Sequence, residues 1–455
     1  MRNSSFLSIM IALIFSLSLQ AQTKKWTIQE VVAYALEHNI QIQQTALDIE
    51  LAAIDKKGAI GNFLPSANAS LSHSWNIGLS QNPATFEPET QTLQQTGADI
   101  SVGVDIYKGL QNRMRFQRSK LAILAAQYNL SKMKDDTSLM AASAFLDILF
   151  SKENLKVQKE LLANNQKQME RTNELVNAGS IPRGDLMDMR ATVATSNQNV
   201  VAAENSLLIA KLSLAQLLQL EDFKDFDVAD VNAEIAESPT MMQTPEAIFE
   251  KAKEERMELK IARANLDLAE KDIRIAKGAL QPNLTGFYSF SSRVTNAPVP
   301  ILDENGNFDG TTVPAFFNQF SDNKGHNFGV QLNIPILNGF TTRNNIARAE
   351  VAKRRSEIAY SQAELDLERN VYQAFTDARG ALNAYESAVA AMEARQEAYN
   401  YANEKYQVGM MNAFDFNQAQ TLFANAQSEV IRAKYEYIFK VKVVEFYFGI
   451  PIIQN

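Results

Sequence analysis

The chain is written twice. Ala59-Ile60-Gly61-Asn62-Phe63-Leu64-Pro65 returns as Ala276-Lys277-Gly278-Ala279-Leu280-Gln281-Pro282, and Gly109-Leu110-Gln111-Asn112-Arg113 returns as Gly339-Phe340-Thr341-Thr342-Arg343. A third block, Gly179-Ser180-Ile181 with Asp185, returns as Gly409-Met410-Met411 with Asp415. The second and third pairs share one offset of 230 residues (339 − 109 and 409 − 179). Three matches in one order point to a single plan built twice, a stronger constraint than any local pattern. The expected halves are 22–220 and 244–448, separated by an acidic, irregular linker at 221–243 and followed by a tail at 449–455.

Each half reads helix, strand, strand, long helix, turn, helix. Thr27 with Glu30 forms a capping box before Val31 and Val32. Thr244-Pro245-Glu246 opens the second half, with proline at the first helical position. The helices that follow are expected to run to Pro65 and Pro282, which cannot continue them. After each proline the period switches to two. Ala67, Ala69, Leu71, Trp75, Ile77 and Leu79 alternate with Ser and Asn, and Ala98, Ile100, Val102, Val104 and Ile106 alternate with Asp99, Ser101 and Asp105. In the second half Leu284, Tyr288 and Phe290 form one set, and Phe328, Val330, Leu332, Ile334 and Ile336 the other. Polar loops are expected at 81–93 and 295–326.

An ordinary half-buried sheet alternates in the same way. These strands are nevertheless long enough to span a bilayer, for which about 9–11 residues suffice, and their second face is polar enough for water. Four strands cannot close a pore, so a barrel requires several chains. His73 interrupts the apolar column and is read as an interface or barrel-rim residue.

From Leu110 to Ala178 there is neither glycine nor proline, and a continuous helix of that length reaches roughly 100 Å. Its counterpart at 340–408 contains only Gly380. Returning helices are expected near 185–220 and 415–448, the last with an apolar stripe of Ala419, Leu422, Ala426, Val430, Ala433, Tyr437, Val441 and Val444. A plain coiled-coil spacer accounts for these helices, but not for their alternation with barrel-type strands.

The first residues run Met1-Arg2-Asn3, then apolar from Phe6 to Leu19, to Ala21, which reads as a secretory signal peptide over 1–21. No later segment reads as apolar enough to be a spanning helix. With no cysteine, disulfides, thiol catalysis and Cys-based zinc sites are excluded. A net charge of −8 argues against nucleic acid, and His38, His73 and His326 lack metal-ligand spacing. No nucleophile–base pair or phosphate loop is present, so neither an enzyme nor a cofactor is expected.

Taken as an ordered set, Trp26-Thr27-Ile28, the junction prolines Pro65 and Pro282, and Tyr406-Gln407-Val408-Gly409 followed by Asp415 resemble the TolC family of outer-membrane efflux proteins. The resemblance covers essentially the whole chain beyond residue 21. It implies a mainly α fold with a membrane β-barrel: long coiled helices form a periplasmic α-barrel, and four strands per protomer contribute to a trimeric twelve-stranded β-barrel. It also implies a homotrimer in the Gram-negative outer membrane, in contact with outer-membrane lipid. Such a duct serves a tripartite efflux or type I secretion system and works with a periplasmic adaptor (membrane fusion) protein and an inner-membrane transporter.

The resemblance places adaptor-docking tips at Gly179, Ser180, Gly409 and Met410, and a gate at Tyr406 and Asp415. Met411 stands where the family carries an arginine, and Gln418 where it carries a second aspartate. Asp185 and Asp188, one turn apart, are the first half's acidic candidates. Helix capping is an alternative role for Asp185 and Asp415, and a helix C-terminus accounts equally for both glycines. The competing reading is a periplasmic coiled-coil structural or adaptor protein without a barrel.

Overall fold

Backbone conformation carries the duplication more exactly than side-chain identity does. The computed structural model describes residues 25–81, 87–221, 226–230, 238–304, 306 and 308–452. The segment read as a signal peptide lies outside them, as do parts of the linker, the first strand-to-strand loop and the tail. In chain order the elements are β1 Lys25–Trp26, α1 Ile28–His38, α2 Ile40–Gly61, β2 Ser66–Gln81, β3 Pro88–Lys108, α3 Gln111–Asn177 and α4 Arg183–Leu217. There follow β4 Asp227–Val228, a 3₁₀ turn at Pro239–Met242, α5 Pro245–Glu255, α6 Met257–Gly278, β5 Asn283–Thr295, β6 Val299–Leu302 and β7 Phe308–Thr312. The last are α7 Phe316–Asp322, β8 Gly325–Asn333, α8 Thr341–Gln407 and α9 Ala413–Tyr447.

The pairs α3/α8 (67 residues each) and α4/α9 (35 each) repeat at an offset of 230. The pairs α1/α5 and α2/α6 repeat at 217 (245 − 28 and 257 − 40). The difference, 230 − 217 = 13 residues, is inserted within the second strand hairpin. Left-handed backbone also repeats at 230: φ is 56° at Gly109 and 58° at Gly339, 61° at Leu110 and 65° at Phe340, 71° at Gly179 and 77° at Gly409, 60° at Gln219 and 93° at Gly449.

One compact unit comprises residues 25–47, 127–261 and 360–452. It is helical, with two cores related by the same offsets. Val31, Ala35, Ala141, Ile148 and Leu214 are buried in one core, and Ile248, Ala252, Val371, Ala378 and Val444 in the other. Each fully buried aliphatic side chain contributes about 1.5–3 kcal/mol. The capping box at Thr27 and Glu30 is present, and the Thr244 side chain accepts from the Ala247 amide. Within the linker, Asp227–Val228 pairs in parallel with Lys25–Trp26. Burial alone would raise the Asp227 carboxyl, but hydrogen bonds from Lys211 and Lys152, with their charges, hold it below the usual carboxylate range.

The helices expected to run unbroken to Pro65 and Pro282 are each interrupted by one extended residue, at equivalent positions. Asn39 (φ −63°, ψ 126°) donates from Nδ2 to the Leu217 carbonyl at 3.2 Å. Arg256 (φ −70°, ψ 133°) instead lays its guanidinium 3.7 Å from the centre of the Phe446 ring and pairs with Glu258 and Asp135. Neither break has a glycine or proline to announce it; tertiary partners fix both.

One expectation about hydropathy is corrected. Helix α4 is long and apolar enough to cross a membrane by length and composition, with an 18-residue stretch of mean hydropathy 1.3. Its Val200, Ala203, Leu214 and Ala215 are buried in the helical unit, which accounts for part of that character.

The second unit comprises residues 48–126 and 262–359. Its sheet is antiparallel with strand order β2-β3-β5-β8. The register lines up Ala67 with Val102, Val102 with Tyr288, and Tyr288 with Phe328. The apolar sets of all four strands therefore share one face, and much of that face is bare: Leu71, Ile77 and Phe328 are 77–78% exposed, whereas Val294 near the end of β5 is buried. The opposite face carries Ser70, Asp99, Ser291 and Gln331, with Phe287 as an exception whose ring covers Gly329. A bulge between Asp105 and Tyr107 shifts the β3–β5 register. At the base, Gly109 and Gly278 meet backbone to backbone, leaving no room for a Cβ on either.

Both loop expectations are corrected. Strand β3 begins at Pro88, paired with Gln81, because a strand's first residue tolerates the missing N–H and Thr90 and Thr92 continue the pattern. Within 295–326 the apolar runs at 299–302 and 316–317 build the β6–β7 hairpin and α7. Helix α7 packs on β5, where Gln319 bonds both the amide and the carbonyl of Thr295.

Candidate functional site

In the helical unit, each long helix turns back on itself through a five-residue connection, 178–182 or 408–412. Both turns close in the same way. The Ser180 amide donates to the Leu175 carbonyl at 2.9 Å and the Gly179 amide to Val176 at 3.0 Å. Met410 donates to Lys405 at 2.8 Å and Gly409 to Tyr406 at 3.2 Å. These are paired 6→1 and 5→2 bonds, which need a left-handed residue that glycine adopts without steric cost.

The turns border one cavity of about 580 Å³. Asp185, Ser180, Tyr406, Gly409 and Met410 line it, joined by Met411 and by Arg171, which sequence reasoning had not singled out. Arg171 donates from Nη2 to the Gln407 carbonyl at 3.3 Å, fastening the end of α3 to the end of α8. Tyr406 makes a second tie. Its hydroxyl lies 3.4 Å from that of fully buried Thr172, and its ring stacks on Phe416, with centroids 4.6 Å apart and planes 11° from parallel.

Asp415 is not drawn into the cavity lining. Its amide donates to Asn412 Oδ1 at 2.8 Å and its carboxylate accepts from Asn412 Nδ2 at 2.9 Å. Asn412, not Asp415, is the cap of α9. In the first half the cap position is Pro182, with no side-chain bond, and Asp185 stands in the first turn. Both aspartates thus sit where the helix dipole favours an anion, without being the caps that their spacing also allowed. Asp188 lies apart from Asp185, in a groove of about 450 Å³ that it shares with Gln418, its equivalent in the second half. Pro65 and Pro282 belong to the strand unit, each directly preceding a strand.

The model of the family described as outer membrane efflux protein matches residues 31–219 and 248–441, one stretch in each half. The chain belongs to the outer membrane efflux protein family. The outer membrane protein TolC of Vibrio cholerae is similar to it, at 24% identity over 427 residues covering 90% of this chain and 88% of that one. Among solved structures, the CmeC outer membrane channel of Campylobacter jejuni superposes with a TM-score of 0.75 at 18% identity, covering 94% of this chain and 87% of the other. VceC of Vibrio cholerae gives 0.73 at 14% identity, covering 94% and 97%. The fold is therefore that of the TolC-like channels, and this outer membrane efflux protein resides in the outer membrane of a Gram-negative cell and has a role in efflux. The family is one of channel proteins. Among the described residues no group of three or more His, Asp or Glu is placed to hold a metal ion.

The clue to Arg171 is slight. It is the last basic residue before the first turn, and its equivalent in the second half is Tyr401, so comparing the halves hides it.

Proposed function

We propose that three copies of this chain close a twelve-stranded barrel and form a passive exit duct, shut at its periplasmic turns and opened by an adaptor and an inner-membrane transporter. The observation that carries this reading is the sheet: four strands, both outer edges unpaired by strands among the described residues, and one apolar face largely bare to solvent. A long exposed apolar edge is an aggregation hazard unless another chain or lipid covers it. A barrel in a bilayer covers both, the edges by strand pairing and the face by lipid. A periplasmic coiled-coil spacer leaves that face unaccounted for.

In this reading the ties from Arg171 and Tyr406 hold the turn region closed, and the adaptor docks on Gly179, Ser180, Gly409 and Met410. The cargo belongs to an efflux or type I secretion pathway. Purified protein in planar bilayers is expected to conduct ions at low open probability, rising when Tyr406 and Asp415 are both replaced by alanine. Protein that inserts into the bilayer but never conducts would overturn the duct.

A further inference from the structure

Helix α7 is inside out. Its one fully buried side chain is a glutamine, Gln319 at 7% exposed, whereas Phe317 is 81% exposed and Phe316 48%. A helix packed on a protein surface in water turns its apolar stripe inward and its polar residues out. The two phenylalanine rings form an edge-to-face pair 5.5 Å apart, so they present one apolar patch.

The polar interior has a local cause. Strand β8 begins at Gly325, opposite Ser291, so residues 292–295 of β5 run on past it without that neighbour. Gln319 takes the neighbour's place: its Oε1 accepts from the Thr295 amide at 2.9 Å, and its Nε2 donates to the Thr295 carbonyl at 2.8 Å. Asn323 donates to the Arg293 carbonyl at 2.7 Å. Buried backbone groups need such partners, which accounts for a glutamine inside. It does not account for phenylalanines outside.

The face on which α7 leans supplies the rest. Ser292 Oγ donates to the Phe320 carbonyl at 2.7 Å, and the Phe320 ring lies 6.5 Å from that of Phe290. Ser292 and Val294 are buried, while Ser291 and Arg293, which alternate with them on the polar face, are exposed. The helix therefore sits on the apolar face of the sheet. At about 100° per residue, Phe316, Phe317 and Phe320 fall on one flank of α7, and Asn318 and Asp322 on the opposite one. Through Phe290 the phenylalanine flank is continuous with the apolar face.

We infer that α7 is an interfacial helix held by lipid of the outer leaflet, an inference that rests on the barrel proposed above. Phe316 and Phe317 lie among acyl chains, and Asn318 and Asp322 face the aqueous side. One solvent then serves both surfaces, since the hydrocarbon that covers the apolar face reaches the phenylalanines set on it. The leaflet follows from the chain path: α7 stands at the end of β5 far from Pro282, where the helices join. A helix of seven residues is about 10 Å long and lies flat in such a boundary, its apolar side sunk about 5–10 Å.

Tryptophan fluorescence reads the surroundings of each flank. The chain has two tryptophans, Trp26 in the helical unit and Trp75 on the apolar face of β2. The protein is reconstituted in phosphatidylcholine vesicles whose acyl chains carry bromine close to the headgroup, a contact quencher, with unbrominated vesicles as reference. In a Trp75→Phe background, the emission added by Phe317→Trp is expected to be quenched several-fold more than that added by Asn318→Trp. Both side chains are exposed, and Phe316→Trp repeats the test should Phe317→Trp fail to fold. Equal quenching on the two flanks, or none on the phenylalanine flank, overturns the interfacial helix. The unsubstituted protein tests the barrel separately, because Trp75 is expected to be quenched whatever α7 does. Inserted protein in which Trp75 is untouched by the brominated lipid overturns the barrel reading itself.

Discussion

Removing the two ties at the turns is expected to raise open probability by an amount set by their contacts. Tyr406→Ala removes a near-parallel stack on Phe416 at 4.6 Å, worth about 1 kcal/mol. It also leaves the buried Thr172 hydroxyl without its 3.4 Å neighbour, a long and weak bond worth about 0.5 kcal/mol. Arg171→Ala removes a 3.3 Å bond to the Gln407 carbonyl at an exposed site, about 0.5 kcal/mol. If opening breaks all three, the double variant shifts the closed–open equilibrium by about 2 kcal/mol, or roughly 30-fold. Tyr406→Phe keeps the stack and loses only the hydroxyl, so two- to threefold is expected. Single-channel recording in planar bilayers reads these as open probability. A double variant that stays oligomeric and helical yet opens no more often than the parent would refute the idea that these contacts hold the duct shut.

Three further outcomes follow from the same contacts. Gly409 has φ of 77° and open space around it, so Gly409→Ala is expected to cost about 1 kcal/mol through backbone strain alone, seen as faster hydrogen exchange at 405–412 with little change in global unfolding. Phe145 is 1% exposed in the first helical core, and Phe145→Ala is expected to cost about 3–5 kcal/mol in denaturant unfolding. Because the Asp227 carboxyl is held below its usual pKa, its contribution is full above the unfolded value near 4 and is lost as pH falls through the folded one. Asp227→Asn should therefore destabilise at neutral pH, with the difference from the parent closing below about pH 4; a gap that stays constant with pH refutes the ion-pair account.

Most of the architecture was legible because it is periodic. Two-residue alternation fixed which faces of β2, β3, β5 and β8 coincide, and sixty-odd residues without glycine or proline fixed α3. What escaped was set by contacts distant in sequence. Nothing near Asn39 or Arg256 announces a helix break, since the deciding partners are the Leu217 carbonyl and the Phe446 ring. Arg171 joins the turn cavity through Gln407, which lies 236 positions away. At α9, the spacing of Asp415 from the turn allowed a cap, but Asn412, three residues earlier, takes that role. The β6–β7 hairpin and α7 hid in a segment whose overall polarity masked two short apolar runs.

The 13 added residues of the second hairpin divide the molecule by symmetry. Helices and turns recur twice per chain, so in a closed ring of three an approaching partner meets a near-sixfold surface at the turns. Among the described residues the β6–β7 hairpin and α7 occur once per chain, so in the same ring they recur only threefold. The turns can thus be met by six equivalent copies of one partner and the inserted hairpin by three, and a single insertion in one hairpin sets the difference between those counts.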